Sequence, residues 1–180
     1  MRFKKTRRGI EATPEPVETA VLRQCVLDLL VLLGEGSETS TDPLEAMLGL
    51  PDGEAHAPDD PALARLLPEA YPDDDPEANR EFRRYTEGDL RAGKRAHCTA
   101  VLATLPEPGA VLRLDREQAD AWLGCLNDLR LVLGTRLEVT EDTDQDALDP
   151  DDPAAQALQV YGWLGWLQES LISCLVPRRG

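Results

Sequence analysis

The sequence predicts a mainly α-helical, single-domain protein: a bundle of about four main helices with short extra helices and a small N-terminal β-hairpin. Three observations predict this fold class. Several long segments repeat apolar residues at helical spacing, and prolines and glycines separate these segments. The length of 180 residues is typical of one domain, and with 4% aromatic residues its core must consist mainly of Leu, Val and Ala. We therefore expect residues 1–180 to form a single helical domain.

The N-terminal segment, residues 1–13, is predicted to form the β-hairpin. Residues 2–6 and 10–13 are the expected strands, and Gly9 marks the turn. The segment also contains a basic cluster that suits nucleic acid or an acidic partner: Arg2, Lys4, Lys5, Arg7 and Arg8. Because the whole chain is acidic, we favour the interpretation that this cluster balances the protein's own charge.

The first long helix is expected over residues 17–33, with a proline before it and Gly34 after it. Its apolar side chains occupy two adjacent faces, so we expect other helices to cover much of it. Residues 35–76 are rich in acids and prolines. Within them we predict short helices at 43–48 and 61–67, each beginning at a proline after an aspartate, and a mobile acidic loop at 49–60.

Residues 77–105 are predicted to form a long helix or a helix pair, because Gly88 or Gly93 can break or kink a helix. This segment holds the one strongly basic surface of the protein body, a candidate partner-binding surface: Arg80, Arg83, Arg84, Arg91, Lys94 and Arg95. After a loop, residues 110–114 alternate apolar and other side chains, which indicates a strand that joins the N-terminal hairpin.

The segment that organises the rest of the chain is the predicted helix over residues 115–137. Asp115 and Gln118 have the spacing of an N-terminal capping box, and Gly134 is the expected end of the helix. Its apolar residues, Trp122 among them, lie on one face. An acidic loop without Lys or Arg is expected at 138–152, followed by the last helix over residues 153–176.

Polar residues beside the apolar faces of the last two helices form a candidate structural network: Asn127, Asp128, Arg130, Gln168 and Glu169. We expect Arg130 and Glu169 to pair where these helices pack, because a charge next to a core needs a partner. The predicted role of the network is to fix the register of the two helices.

The net charge of the chain limits the partners that it is expected to bind, and its N-terminal segment bears on its expected location. The formal net charge of −15 disfavours nucleic-acid binding by the surface as a whole and favours a basic protein partner. The basic N-terminus resembles the start of a signal peptide, but the apolar run after it contains Arg23 and Asp28, which a cleavable signal lacks. No uninterrupted apolar run is long enough to cross a bilayer, so we expect a cytoplasmic protein.

Four cysteines are the candidate redox residues: Cys25, Cys98, Cys125 and Cys174. Each has apolar neighbours at helical spacing, so one interpretation is four inert buried thiols. The alternative is that two of them meet across packed helices and oxidise to a disulfide under stress, with the pairing left open by the sequence. Lys94 and Arg95 lie one turn before Cys98 and are expected to lower its pKa.

Catalytic and metal-binding patterns are not indicated by the sequence. It contains no nucleophile elbow, phosphate loop or metal-ligand helix, so we expect no enzymatic activity, no cofactor and no metal. Asp142, Asp144 and Asp146 have the opening spacing of an EF-hand loop. However, Ala147 replaces the glycine of the sharp turn and Pro153 replaces the final glutamate, so we interpret the segment as a solvated acidic loop.

Three stretches resemble one actinobacterial family: EFRRYTEGDLRAGKRAHCTAVLATL (81–105), AWLGCLNDLRLVLGTRLEV (121–139) and YGWLGWLQESLISCL (161–175). With the RFKKTRRG start, the resemblance to these AosR-like oxidative-stress regulators covers nearly the whole chain. It implies a cytosolic, mainly helical regulator of transcription that is linked to cysteine supply. In this family a thiol pair senses the oxidant, and the oxidised protein acts together with a stress sigma factor. The family's sensing motif is a closely spaced cysteine pair, whereas the nearest cysteines here, Cys98 and Cys125, are much further apart in sequence.

The sequence supports three hypotheses of function, in order of preference. The first is a regulator that modulates transcription in the oxidative-stress response, for cysteine-supply genes, through a protein partner such as a sigma factor or another transcription component. The alternative is a non-redox scaffold or adaptor with purely structural cysteines. The third, a direct DNA binder that uses the N-terminal tail or the basic surface at 80–95, is disfavoured by the net charge.

Overall fold

A computed structural model describes residues 1–34, 58–69, 75–140 and 153–176. The elements along the chain are β1 (Lys4–Thr6), β2 (Gly9–Ala12), α1 (Pro16–Leu33), α2 (Pro61–Leu66), α3 (Pro76–Thr104), β3 (Leu112–Leu114), α4 (Arg116–Arg136) and α5 (Pro153–Leu175). The predicted fold class is confirmed, since the protein is mainly helical with a small antiparallel sheet. The predicted helix at 43–48 and most of the predicted loops at 49–60 and 138–152 lie outside the described residues.

The sheet has the strand order β1-β2-β3, and both neighbouring pairs are antiparallel. The predicted third strand is therefore confirmed. The hairpin turns at Arg7 and Arg8 rather than at Gly9, which is the first residue of β2. Gly9 has a φ of +120°, and a Cβ there would lie 2.6 Å from the carbonyl oxygen of Leu114. The close approach of β3 therefore explains the glycine.

Helix α4 lies at the centre of the protein and packs against α1, α2, α3, α5 and the sheet. It begins with the predicted capping box: the Asp115 carboxylate accepts the backbone N–H of Gln118 at 2.8 Å, and the Gln118 side chain accepts the N–H of Asp115 at 3.0 Å. Trp122 is completely buried, with its ring edge to face against Phe3 and its indole N–H donating to Thr104 at 2.8 Å. This helix forms the middle of the core.

For residues 77–105 the structure shows the long-helix alternative, whereas the predicted end of the next helix at Gly134 is wrong. Helix α3 is continuous, and Gly88 and Gly93 lie inside it with open space where a side chain would be. Helix α4 continues past Gly134 and ends at Arg136. A Cβ at Gly134 would lie 3.3 Å from the Tyr161 ring of α5. That glycine serves the close packing of two helices and does not terminate one.

Helix α1 packs its buried face against α3 and α4 and ends at Gly34, whose φ is +61°. Two arginines of α3 hold the carbonyl groups at this end. Arg91 donates to the carbonyl of Leu33, and Arg95 donates to the carbonyls of Leu30 and Gly34. The Leu30 carbonyl also accepts the N–H of Gly34, whereas the last carbonyls of a helix generally lack a partner within it, so the arginines supply donors to the end of α1.

Candidate functional site

The candidate site lies in the interface between the antiparallel helices α3 and α4, which the strand β3 connects. Three side-chain contacts cross the interface in order: Lys94 with Asp128, Cys98 with Cys125, and Thr104 with Trp122. The charged contact is one helical turn from the thiols on both helices, because positions three or four apart share a face. The indole contact lies on the other side, so the thiols are held between two polar contacts.

Cys98 and Cys125 are brought together by this packing, although the sequence separates them by 27 positions. Their Sγ atoms are 3.9 Å apart, with Cys125 as the donor, and the two residues are 0% and 1% exposed. Both are thiols in this structure, as are the half-buried Cys25 of α1 and the buried Cys174 of α5. Of the four cysteines, Cys98 and Cys125 are the two whose sulfurs are in contact among the described residues. Forming a disulfide therefore requires the smallest movement from this pair.

The two thiols have opposite pKa shifts because one hydrogen bond joins them. The S–H of Cys125 stabilises a thiolate on Cys98 and lowers the pKa of Cys98, and the positive charge of Arg95 acts in the same direction. Burial and the negative charge of Asp128 oppose this shift. The pKa of Cys125 is raised, first because its proton is shared with Cys98 and then by burial. These shifts favour Cys98 over Cys125 as the thiolate of the pair.

The other two candidate thiols lie outside the hydrogen-bonded pair. The pKa of Cys25 is raised by burial and by the charge of Asp28, so this residue is a weaker nucleophile than Cys98. Cys25 does interact electrostatically with Cys125. Cys174, buried in α5, belongs to the hydrophobic core. These two positions are suitable for control substitutions.

An ion pair stabilises the interface next to the thiols. The ammonium of Lys94 donates to the Asp128 carboxylate at 2.7 Å, and Asp128 itself is 3% exposed. A carboxylate this deeply buried requires a partner, because the loss of its hydration is costly. The partner comes from the other helix, so the pair also fixes the register of α3 against α4. Asp128, one of the predicted network residues, thus acts together with Lys94.

A surface groove of about 510 Å³ opens between α3 and α4 on the side of this ion pair. Its lining includes Lys94, Asp128 and the exposed Asn127, together with His97 and Gly124. The last two residues immediately precede the two cysteines in sequence. The groove therefore extends from the protein surface to the residues that precede each thiol in sequence.

The other predicted network residues lie between α4 and α5. Arg130 donates to the side-chain oxygen of Gln168, and its guanidinium lies 5.3 Å from the centre of the Tyr161 ring. The expected pairing of Arg130 with Glu169 is wrong, because Gln168 is half-buried against α4 and Glu169 is exposed. The one-residue shift moves the side chain to another face of the helix.

Residues of the predicted partner-binding surface that donate to acceptors inside the protein include Arg83, Arg91, Lys94 and Arg95. Arg83 is 6% exposed and bonds to Glu87 at 2.9 Å, and Arg91 bonds to the same carboxylate. Arg80 is exposed and Arg84 is half-buried. The surface stays a prediction, but three of its cations, Arg83, Arg91 and Lys94, already pair with carboxylates of the protein. In contrast, all five cations of the N-terminal cluster are exposed.

Membrane-spanning helices and metal-ligand clusters are both absent from the described residues. No helix there is long and apolar enough to cross a membrane. Residues 1–34, 58–69, 75–140 and 153–176 contain no group of three or more His, Cys, Asp or Glu placed to hold a metal ion. The aspartates at 142, 144 and 146 lie outside these ranges.

The fold and the site define a small helical protein with a buried thiol pair, and the chain belongs to the family described as Domain of unknown function (DUF2017), which matches residues 1–175. Proteins named "Oxidative stress regulator AosR" from Mycobacterium tuberculosis and Mycobacterium bovis are each 36% identical to it over 177 residues, or 91% of this chain and 81% of theirs. A Mycobacterium leprae protein with the AosR name is 38% identical over 174 residues, or 89% of this chain and 80% of its own. The predicted family is thereby confirmed. No solved structure gives a significant match.

Proposed function

We propose that this protein is a thiol-based regulator of the oxidative-stress response, with Cys98 and Cys125 as its sensing pair. The observation that carries the proposal is the 3.9 Å separation of the two sulfurs across the α3–α4 interface. The names of relatives that match about nine-tenths of the chain support the biological context. The role is regulatory: oxidation changes how the protein acts on transcription through a protein partner, for which a stress sigma factor is the preferred candidate.

The chemistry of the switch follows from the two different thiols. The Cys98 thiolate attacks a peroxide, so the O–O bond breaks, the sulfur becomes a sulfenic acid, and the departing hydroxide takes up a proton and leaves as water. The sulfur of Cys125 then displaces the second oxygen, which leaves as water with the remaining protons, and the S–S bond forms. The peroxide accepts two electrons. A sulfur–sulfur bond is about 2.05 Å long, so the sulfurs must move roughly 2 Å closer.

Thiol counting tests the redox step directly. Reduced protein is freed of reductant, treated with peroxide, unfolded, alkylated and weighed by mass spectrometry, with and without prior re-reduction. We expect a reversible loss of two thiols and a cross-linked peptide that joins Cys98 to Cys125. A Cys25→Ser/Cys174→Ser variant should behave identically, whereas Cys98→Ser should lose the cross-link. Four persistent thiols, or an undiminished loss in Cys98→Ser, would contradict the proposal.

The regulatory step requires a test in cells. A strain lacking the protein is complemented with wild type, with Cys25→Ser/Cys174→Ser, or with Cys98→Ser. We expect peroxide to change transcript levels and co-precipitation with sigma factors in the first two strains and not in the third. Equal responses in all three strains would show that the function of the protein does not depend on this thiol pair.

A second candidate function, a non-redox scaffold or adaptor, is favoured by the complete burial of the same pair. Thiols that are 0% and 1% exposed are also what an inert core contains. The thiol count distinguishes the two functions, because a scaffold keeps its thiols under peroxide concentrations that leave the fold intact. Circular dichroism of the treated protein provides the control for unfolding.

A further inference from the structure

We infer that Gly124 and His97 form a positioning contact that sets the distance between α3 and α4 at the level of the thiols, an inference that rests on the proposed redox function. Gly124 is the residue before Cys125, and His97 is the residue before Cys98. The Gly124–His97 contact and the Cys98–Cys125 contact therefore lie at the same level of the interface. Neither residue is assigned a chemical step. Their role is to let the sulfurs come within reach of each other.

The contact is unusually close. A Cβ added at Gly124 would lie 2.4 Å from Nδ1, 2.7 Å from Cε1 and 3.3 Å from Cγ of the His97 ring. The first two distances are shorter than any ordinary contact of a side-chain carbon, so the ring occupies the space that a larger residue would need. The separation of packed helices depends on the side chains at their contact. A glycine here allows the two backbones to approach.

The other glycines within helices show how specific this feature is. A Cβ at Gly134 would come no closer than 3.3 Å to Tyr161, and one at Gly165 would come no closer than 3.4 Å to Arg130. Gly88 has open space at the same position. Compared with Gly88, Gly134 and Gly165, Gly124 therefore has by far the tightest contact. It is also the one next to a thiol of the pair.

The Nδ1 atom of the His97 ring, which faces Gly124, is buried and has no polar partner among the described residues. A buried nitrogen without a partner is unfavourable, so the position of the ring is not explained by polar bonding. The ring lies against Gly124 of α4 and lines the same groove as the Lys94–Asp128 ion pair. The contact is one of shape, which a change of shape should disturb.

The test uses Gly124→Ala, the double variant His97→Ala/Gly124→Ala, and Gly88→Ala as the matched control in an open part of α3. The native proteins are equilibrated in a dithiothreitol redox buffer, and the oxidised fraction is measured by alkylation and mass. We expect Gly124→Ala to lower the equilibrium constant for disulfide formation by about tenfold, which is about 30 mV for a two-electron couple. Removal of the ring in the double variant should restore the wild-type value, and Gly88→Ala should leave it unchanged.

A second readout, the thermal midpoint of the reduced proteins, separates failure of this inference from failure of the proposed function. Gly124→Ala should lower the midpoint although alanine favours helices, and the double variant should recover it. A higher midpoint in Gly124→Ala, or a wild-type redox equilibrium in that variant, would overturn the inference and leave the thiol switch intact. A wild-type protein that forms no disulfide would overturn both, whatever the midpoints.

Discussion

Cys98 and Cys125 have the same side chain, but a single hydrogen bond between them gives the two residues different reactivity. The donor S–H of Cys125 favours the Cys98 thiolate, whose pKa is lowered in spite of burial. Burial alone would have raised both pKa values, as it does for Cys25. At the scale of single residues, the interface therefore favours the thiolate form of Cys98 over that of Cys125.

The lowered pKa of Cys98 predicts the pH dependence of its oxidation. The thiolate is the reactive form, so the rate rises with pH and reaches half of its maximum below the pKa of an ordinary cysteine, about 8.5. Cys125→Ala removes the donor and should shift this profile to higher pH, whereas Cys125→Ser retains a donor and should shift it less. The rate of loss of the Cys98 thiol is followed by mass spectrometry of the labelled peptide. Coincident profiles for the two variants would contradict the assignment of Cys125 as donor.

The Lys94–Asp128 pair predicts a strong effect on stability. Lys94→Met leaves the buried Asp128 carboxylate without its partner, which should lower the free energy of unfolding by about 3 kcal/mol. Lys94→Met/Asp128→Leu removes the stranded charge and should recover part of this loss. Chemical denaturation provides the measurement. The control is Arg116→Ala, which breaks an exposed pair with Asp120 and should change the stability by less than about 1 kcal/mol.

At the scale of elements, the start of α4 was more predictable than its end. The start of α4 depends on Asp115 and Gln118, two neighbours in sequence whose spacing is itself the signal. The predicted end at Gly134 was wrong because the same residue type also serves helix contacts, and its neighbour Tyr161 belongs to another helix. Local chemistry is present in the sequence, whereas the partner of a glycine across an interface is not.

The candidate site was predictable to a similar extent. All four cysteines were candidates, but the pairing of Cys98 with Cys125 depends on the register of α3 against α4. A signal for that register was present: Lys94 precedes Cys98 by four residues, and Asp128 follows Cys125 by three. Opposite charges at matched offsets from two cysteines are compatible with antiparallel packing. The role of Gly124 had no such signal, because it depends on the position of the His97 ring.

Two glycines predict opposite results for the same substitution. Gly88 lies in the middle of α3 with open space around it, so Gly88→Ala should stabilise the protein by about 0.5–1 kcal/mol. Gly34 ends α1 with a φ of +61°, so Gly34→Ala should destabilise it by about 1 kcal/mol or more. Denaturant titrations of both variants measure the difference. The same sign for both would show that backbone conformation does not control these positions.

At the scale of the whole molecule, the formal net charge of −15 predicts how a partner is recognised. A basic partner should bind with an affinity that falls as salt increases, because exposed charges are screened. Titration of a candidate sigma factor at low and high salt measures this dependence. Charge reversal at the exposed Arg7 and Arg8 should not weaken binding if the acidic body is the recognised surface. Salt-independent binding, or loss of binding in the charge-reversed variant, would show that the acidic body is not the surface that the partner recognises.

The contacts of Arg91 and Arg95 with the last carbonyls of α1 have a consequence for local opening. If the end of α1 frayed, two guanidinium groups would lose their carbonyl acceptors there at once, so the termination of one helix and the middle of another are energetically coupled. The amide protons of both regions should therefore exchange with deuterium at similar rates. The protein would then open in this part as one cooperative unit that includes the helix bearing Cys98.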